Sequence, residues 1–162
     1  GSAKQAEDFI NQLREAIGTL PVLPLKARSE VQQTMTHWLA THSAPTGFAL
    51  GGACELQDTA DQSGVIKCQN LDLQAREIRS HLENSMLVSK LELVWDGGIE
   101  CVIDEKLAVK KLKFTDLILD RSTGEETESA AQQFDVDFTI MTGELARFIV
   151  NLTDALGGTE EL

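Results

Sequence analysis

Lys106, Lys110, Lys111 and Lys113 form the one basic cluster in a chain whose formal net charge is −12. Within the run KKLKF, Lys111 and Lys113 alternate with Leu112 and Phe114. On a strand, the two lysines therefore share one face and the two apolar residues share the other. Two chemistries fit such a row. Ammonium groups spaced along a strand can contact successive phosphates. The same groups can instead pair across strands with Glu100 or Glu92 on the same wet face. Other residues of catalytic type are scattered. His37, His42 and His81 lie on different segments, and none has a second His, Cys or carboxylate at ligand spacing, so no metal site is expected. Gly51-Gly52, Gly97-Gly98 and Gly157-Gly158 read as turn or cap glycines, with no phosphate-loop or dinucleotide pattern around them. No nucleophile elbow occurs, and no Cys lies beside a His. Asp135 and Asp137 flank the start of a helical pattern, where negative charge suits the helix dipole. The expectation is no catalytic residue, no cofactor and no enzyme activity. With no Tyr and 5% aromatic residues, a base-stacking platform for single strands is also unsupported.

The lysines need a sheet to hold them, and Leu87–Phe114 supplies one. Leu87, Leu91, Leu93 and Trp95 alternate with Lys90 and Glu92. Asp96-Gly97-Gly98 tolerates positive φ and can reverse the chain. Ile99, Cys101 and Ile103 alternate with Glu100 and Asp104; Asp104-Glu105-Lys106 makes a second reversal, and Leu112 and Phe114 repeat the pattern. This spacing predicts an antiparallel meander with one oily and one wet face. The strongest helical periodicity is Phe134, Phe138, Met141, Leu145, Phe148, Leu152 and Leu156, in a helix starting near Ala130 and ended by Gly157-Gly158. It is the expected cover for the oily face, with Gly143 in its middle pointing to close packing there. The fold class is α+β: an antiparallel sheet covered by a long C-terminal helix and shorter helices.

Upstream, Ser2 to Gln5 has the form of a capping box for a first helix ended by Gly18, although Gly1-Ser2 could equally be an expression scar. Thr19–Leu25, with Pro21 and Pro24, reads as an edge strand or an extended connector. Ser29 is the expected cap of a second helix carrying Val31, Met35, Trp38 and Leu39. Phe48–Leu56 and Val65–Gln69 read as strands, with a bulge or kink at Gly51-Gly52. Asp72 is the expected cap of a third helix reaching about Asn84. Asp120–Ser129, polar and acidic, reads as a mobile loop.

The charge is uneven. Residues 115–162 hold eleven acids against Arg121 and Arg147, a balance of −9; residues 1–114 hold fifteen acids against twelve bases, a balance of −3. Alone, this argues against nucleic acid, since phosphate attraction comes from Lys and Arg. Three cysteines without close spacing suggest reduced, buried thiols in a cytoplasmic protein. No apolar run approaches the roughly 20 residues of a membrane span, and no signal-peptide pattern opens the chain.

FDVDFTIMTGELARFIVNLTDALGG (Phe134–Gly158), preceded by KKLKF (Lys110–Phe114), resembles the C-terminal part of the recombination-associated protein RdgC family. REIRSHLENSMLVSKLELVWDGGIECVI and EDFINQLREAIGTLPVLPL resemble the same family in the same order, so the likeness covers essentially the whole chain. Members are about twice as long, and the chain resembles their C-terminal portion. The resemblance implies a ring-like homodimer around double-stranded DNA, bound without sequence preference, that sits on the nucleoid and restrains the recombinase RecA. It implies that residues 1–25 close the family's central region and residues 26–162 form its base domain. A ring needs only a basic inner wall, which reconciles an acidic chain with DNA binding. Carried over by position, the DNA-contacting candidates are Lys67, Lys110, Lys111 and Lys113. Relatives often carry a basic pair where this chain has Gln69-Asn70. The alternative is an acidic interaction or dimerisation module without direct DNA contact.

Overall fold

A computed structural model describes residues 3–23, 25–58, 64–69, 73, 75–123 and 129–159. The alternating segments make a single antiparallel sheet: β1 (Phe48–Gln57), β2 (Val65–Gln69), β3 (Leu87–Trp95), β4 (Ile99–Asp104) and β5 (Val109–Phe114), in the order β2-β1-β3-β4-β5. Five helices accompany it among the described residues: α1 (Ala3–Ile17), α2 (Val31–Thr41), α3 (Arg76–Glu83), α4 (Asp116–Thr123) and α5 (Ala130–Ala155). The architecture is α+β, as the sequence predicts.

The meander forms as its alternation requires. Asp96 (φ 47°) and Gly97 (φ 65°) both take left-handed backbone in the β3–β4 reversal. Leu91, Leu93, Trp95, Ile99, Cys101 and Ile103 are buried on one face. One detail differs. Val88, not Leu87, is the buried residue at the start of β3, because the β1–β3 register shifts between Glu55 and Leu56. A bulge moves every residue beyond it to the opposite face. The expected irregularity at Gly51-Gly52 is present: the register slips between Leu50 and Cys54. There a Cβ on Gly51 would lie 2.5 Å from Glu92 Cγ, so only glycine fits.

The oily face is covered by the long C-terminal helix and by shorter helices, as expected, but α5 covers less of it than its full apolar stripe suggests. α2 lies on β3 through Met35, Trp38 and Leu39, and Thr36 Oγ1 accepts a hydrogen bond from the Val88 N–H at 2.9 Å. α5 contributes only its C-terminal half, where Phe148, Leu152 and Leu156 are buried. Phe148 packs at 5.9 Å from Trp95 and 6.2 Å from Phe48, ring centre to ring centre. Phe134 and Phe138 are 65% and 58% exposed. A Cβ placed on Gly143 would meet nothing within 4 Å, so the close packing expected there is absent.

Three local expectations are also corrected. Ser29 does not cap α2. Glu30 holds that position without a side-chain bond, while the Ser29 N–H donates to the Leu156 carbonyl at 3.1 Å. The cause is the bridge between Ala27 and Thr159, which ties this stretch to the end of α5. The segment read as a loop from Asp120 begins inside α4, which buries Ile118 and bonds to α5 through Arg121. Tertiary contacts override its polar composition; residues 124–128 lie outside the described part. α3 starts at Arg76 with Ala75 at its cap position; Asp72, the expected cap, lies outside the described residues, as does Ser2. Between Ile17 and Lys26 the described backbone forms no strand, so the connector reading holds. No described helix is long and apolar enough to cross a membrane.

Candidate nucleic-acid interface

The wet face of the sheet carries the charges. Cross-strand register puts Glu55 opposite Lys67 on one side and Lys90 on the other. Lys90 Nζ lies 2.7 Å from Glu55 Oε1, and Lys67 Nζ lies 3.7 Å from Glu55 Oε2. Burial pushes the Glu55 carboxyl up, but the bond from Lys90 and the nearby Lys67 charge outweigh it and hold it below the ordinary carboxylate value.

A second carboxylate organises the β4–β5 reversal. Asp104 is buried, and its Oδ1 accepts the N–H groups of Lys106 at 3.0 Å and Ala108 at 2.9 Å. Its Oδ2 lies 2.6 Å from Lys110 Nζ. Burial again raises the Asp104 carboxyl, and the Lys110 ammonium and the two N–H donors more than reverse that. The Lys110 ammonium is correspondingly held above its ordinary value by the bond to Asp104.

The remaining lysines are placed differently. Lys111 sits at a bulge in β5 with φ 51°, where the register against β4 shifts between Glu100 and Val102. This kink lets an exposed Lys111 share a hollow of about 70 Å³ with Lys67, Lys90 and Glu55. Lys113 is exposed and stands opposite Glu100 in register, yet forms no ion pair with it. Glu92 is occupied elsewhere, accepting the Gly52 N–H at 2.8 Å. Neither Lys111 nor Lys113 makes an ion pair or side-chain hydrogen bond among the described residues.

Of the four candidate lysines, Lys67 and Lys110 are thus held by carboxylates, and Lys111 and Lys113 are not. The acids doing the pairing are Glu55 and Asp104; the alternative pairing of Lys111 and Lys113 with Glu100 or Glu92 is not formed. Lys90 also belongs to the cluster, which sequence reading left out of the candidate set. Its alternation with Leu91 was visible; its meeting with Glu55 depends on a strand register that no local pattern reveals. Such an edge can bind an anion: two unpaired ammonium groups on β5, next to a hollow already floored by lysines. No group of three or more His, Cys, Asp or Glu among the described residues could hold a metal ion; His37 lies on α2, His42 at its end and His81 on α3.

The MTGEL segment lies in α5. Thr142 Oγ1 bonds its own helix, donating to the Phe138 carbonyl at 2.6 Å. Glu144 is buried and reaches further: Arg121 of α4 lies 3.0 Å away, and Arg147 bonds the same oxygen. Its role is to clip α4 to α5.

Comparison with known proteins gives one consistent match. A family model described as "Putative exonuclease, RdgC" matches residues 1–159. The recombination-associated protein RdgC of Yersinia pestis is 43% identical over 157 residues, covering 97% of this chain and 52% of the relative. The protein of the same name from Pseudomonas paraeruginosa is 42% identical over 159 residues, covering 98% of this chain and 52% of the relative. The chain spans about half the length of these relatives.

Proposed function

This chain belongs to the RdgC family of recombination-associated proteins, and from that premise we propose that it is part of a ring-forming homodimer that binds double-stranded DNA without sequence preference. In this reading the full-length protein sits on the nucleoid in the cytoplasm and restrains RecA-dependent recombination without a cofactor. Residues 26–162 act as its base domain and residues 1–25 as the end of its central region. That division is supported by the core, which among the described residues takes none before Ala27. Phe9 and Ile17 of α1 are each 60% exposed.

The observation that carries DNA contact is the unpaired state of Lys111 and Lys113 on an exposed edge strand of an acidic chain. A lysine already neutralised by a carboxylate releases few counterions from DNA; an unpaired one contributes its full charge. Non-specific affinity is therefore expected to come from β5 more than from Lys67 or Lys110.

The test is salt-dependent binding of duplex DNA by the full-length protein. Each phosphate contact contributes about 0.9 to the log–log slope, so Lys111→Gln with Lys113→Gln, which removes two lysines from each subunit of the dimer, should flatten it by roughly 3.6 and weaken all sequences alike. An unchanged slope removes β5 from the interface. The same samples, incubated with a divalent cation, address the nuclease named in the family description: intact DNA supports the binding role, and degradation assigns catalysis instead.

One observation favours a second reading, an acidic interaction module. Phe134 and Phe138 stack at 6.0 Å on the outward half of α5, exposed to solvent. Light scattering of the chain over a range of concentrations separates the readings. Dimerisation lost in Phe134→Ser would place self-association on this face.

A further inference from the structure

β1 and β2 hold a pair of thiols that the lysine chemistry does not use. Cys54 and Cys68 are direct partners in the antiparallel register. Partners in such a ladder have Cα atoms about 4.5–5.5 Å apart. A disulfide needs about 4.4–6.8 Å, so the bond can close without moving either backbone far. Both residues are buried, at 5% and 6% exposure, and both line the small hollow beside Lys67, Lys90 and Lys111. The two side chains are near enough for Cys68 to add to the upward push on the Cys54 thiol. Cys101, the third cysteine, is also buried, but it lies on β4, separated from β1 by β3.

We propose that Cys54 and Cys68 form a reversible dithiol–disulfide site, closed by a small disulfide oxidant, that locks the edge strand β2 onto β1. The exchange runs in two displacements. One protein thiol, giving up its proton, attacks a sulfur of the small disulfide and releases one small thiol, which takes up that proton. The second protein thiol attacks the mixed disulfide and releases the other small thiol in the same way. Two protein thiols are oxidised by two electrons, one small disulfide is reduced to two thiols, and one S–S bond forms in the protein.

The closed sheet slows this reaction. Burial, with the neighbouring Cys68 adding to it, pushes the Cys54 thiol up to about 12, so little thiolate exists at neutral pH. β2 is a five-residue edge strand, so its local opening exposes the thiols before the rest of the sheet unfolds. Oxidation is thus coupled to fraying of β2 and then abolishes the fraying. Because the bond closes a loop of roughly 15 residues, the oxidised protein should melt about 5–10 °C higher. Lys67, on the same strand, is fixed beside Glu55 by the same bond.

The experiment incubates the native protein with oxidised glutathione, with and without sub-denaturing urea, then alkylates free thiols and maps the unreduced digest by mass. The expected product links Cys54 to Cys68, leaves Cys101 alkylated, forms faster in urea and reverts in dithiothreitol. The same treatment of fully denatured protein should give a mixture of all three pairings. The proposal is overturned if the native protein yields that mixture, if it stops at a glutathione adduct, or if no link forms in either native condition. A melting temperature unchanged or lowered by the bond overturns the locking of β2.

Discussion

Phe148 and Phe138 stand on the same apolar stripe of α5, and the fold treats them in opposite ways. Phe148 is 1% exposed, edge-on to Trp95 and tilted against Phe48. Phe138 is 58% exposed and stacks on Phe134, an equally outward ring. The stripe is continuous; what changes is whether the sheet meets it. Phe148 has Phe48 of β1 and Trp95 of β3 against it, whereas the ring against Phe138 is Phe134 of the same helix. Helical spacing thus reports that a face is apolar, and the surrounding topology decides which part of that face becomes core.

The contrast is largest in stability. Phe148→Ala removes a ring from a closed site and should cost about 3–5 kcal/mol. Phe138→Ala removes a ring already in water and should stay within about 0.5 kcal/mol. Urea denaturation of the two variants side by side checks this. Similar losses would mean that the outward half of α5 is as well packed as the inward half.

Glu144 lies at the border between the halves and should give an intermediate effect. Its buried carboxylate holds Arg121 of α4 and Arg147 of α5, both of which remain more than half exposed. Glu144→Gln weakens charge-assisted bonds and should cost about 1.5–3 kcal/mol. Arg147→Met, which removes only an exposed partner on the same helix, should cost less than about 1 kcal/mol. If the two variants prove equal, the clip to α4 contributes nothing beyond an ordinary surface pair.

The same distinction separates what was legible in the sequence from what was not. The alternation in β3 and β4 fixes which side of each strand is oily, and both reversals fall where Asp96-Gly97 and Asp104-Glu105 place them. Those features depend on neighbours along the chain. The partners of the lysines depend on strand order instead. β1 lies between β2 and β3, so Glu55 meets Lys67 and Lys90 at once, and no spacing within either strand encodes that. Ser29 shows the same limit: its side-chain type suits a helix cap, but its backbone N–H bonds the Leu156 carbonyl, beside the bridge between Ala27 and Thr159 near the other end of the chain. α4 arises from Ile118 finding cover and Arg121 finding Glu144, contacts that outweigh an acidic, polar composition.

The smallest effect offers the finest test of the two halves. Gly143 sits at their junction, in helical backbone, with open space where a Cβ would point. Gly143→Ala should therefore stabilise the helix by about 1 kcal/mol, through the lower backbone entropy of the unfolded chain. Where that gain appears depends on how tightly the halves are coupled. If α5 folds as one unit with the sheet, the urea midpoint rises by the full amount. If the outward half frays on its own, amide exchange slows in residues 130–143 while the midpoint stays where it was. The second outcome would make Phe134 and Phe138 part of a locally unstable segment, one that a partner surface could order on binding.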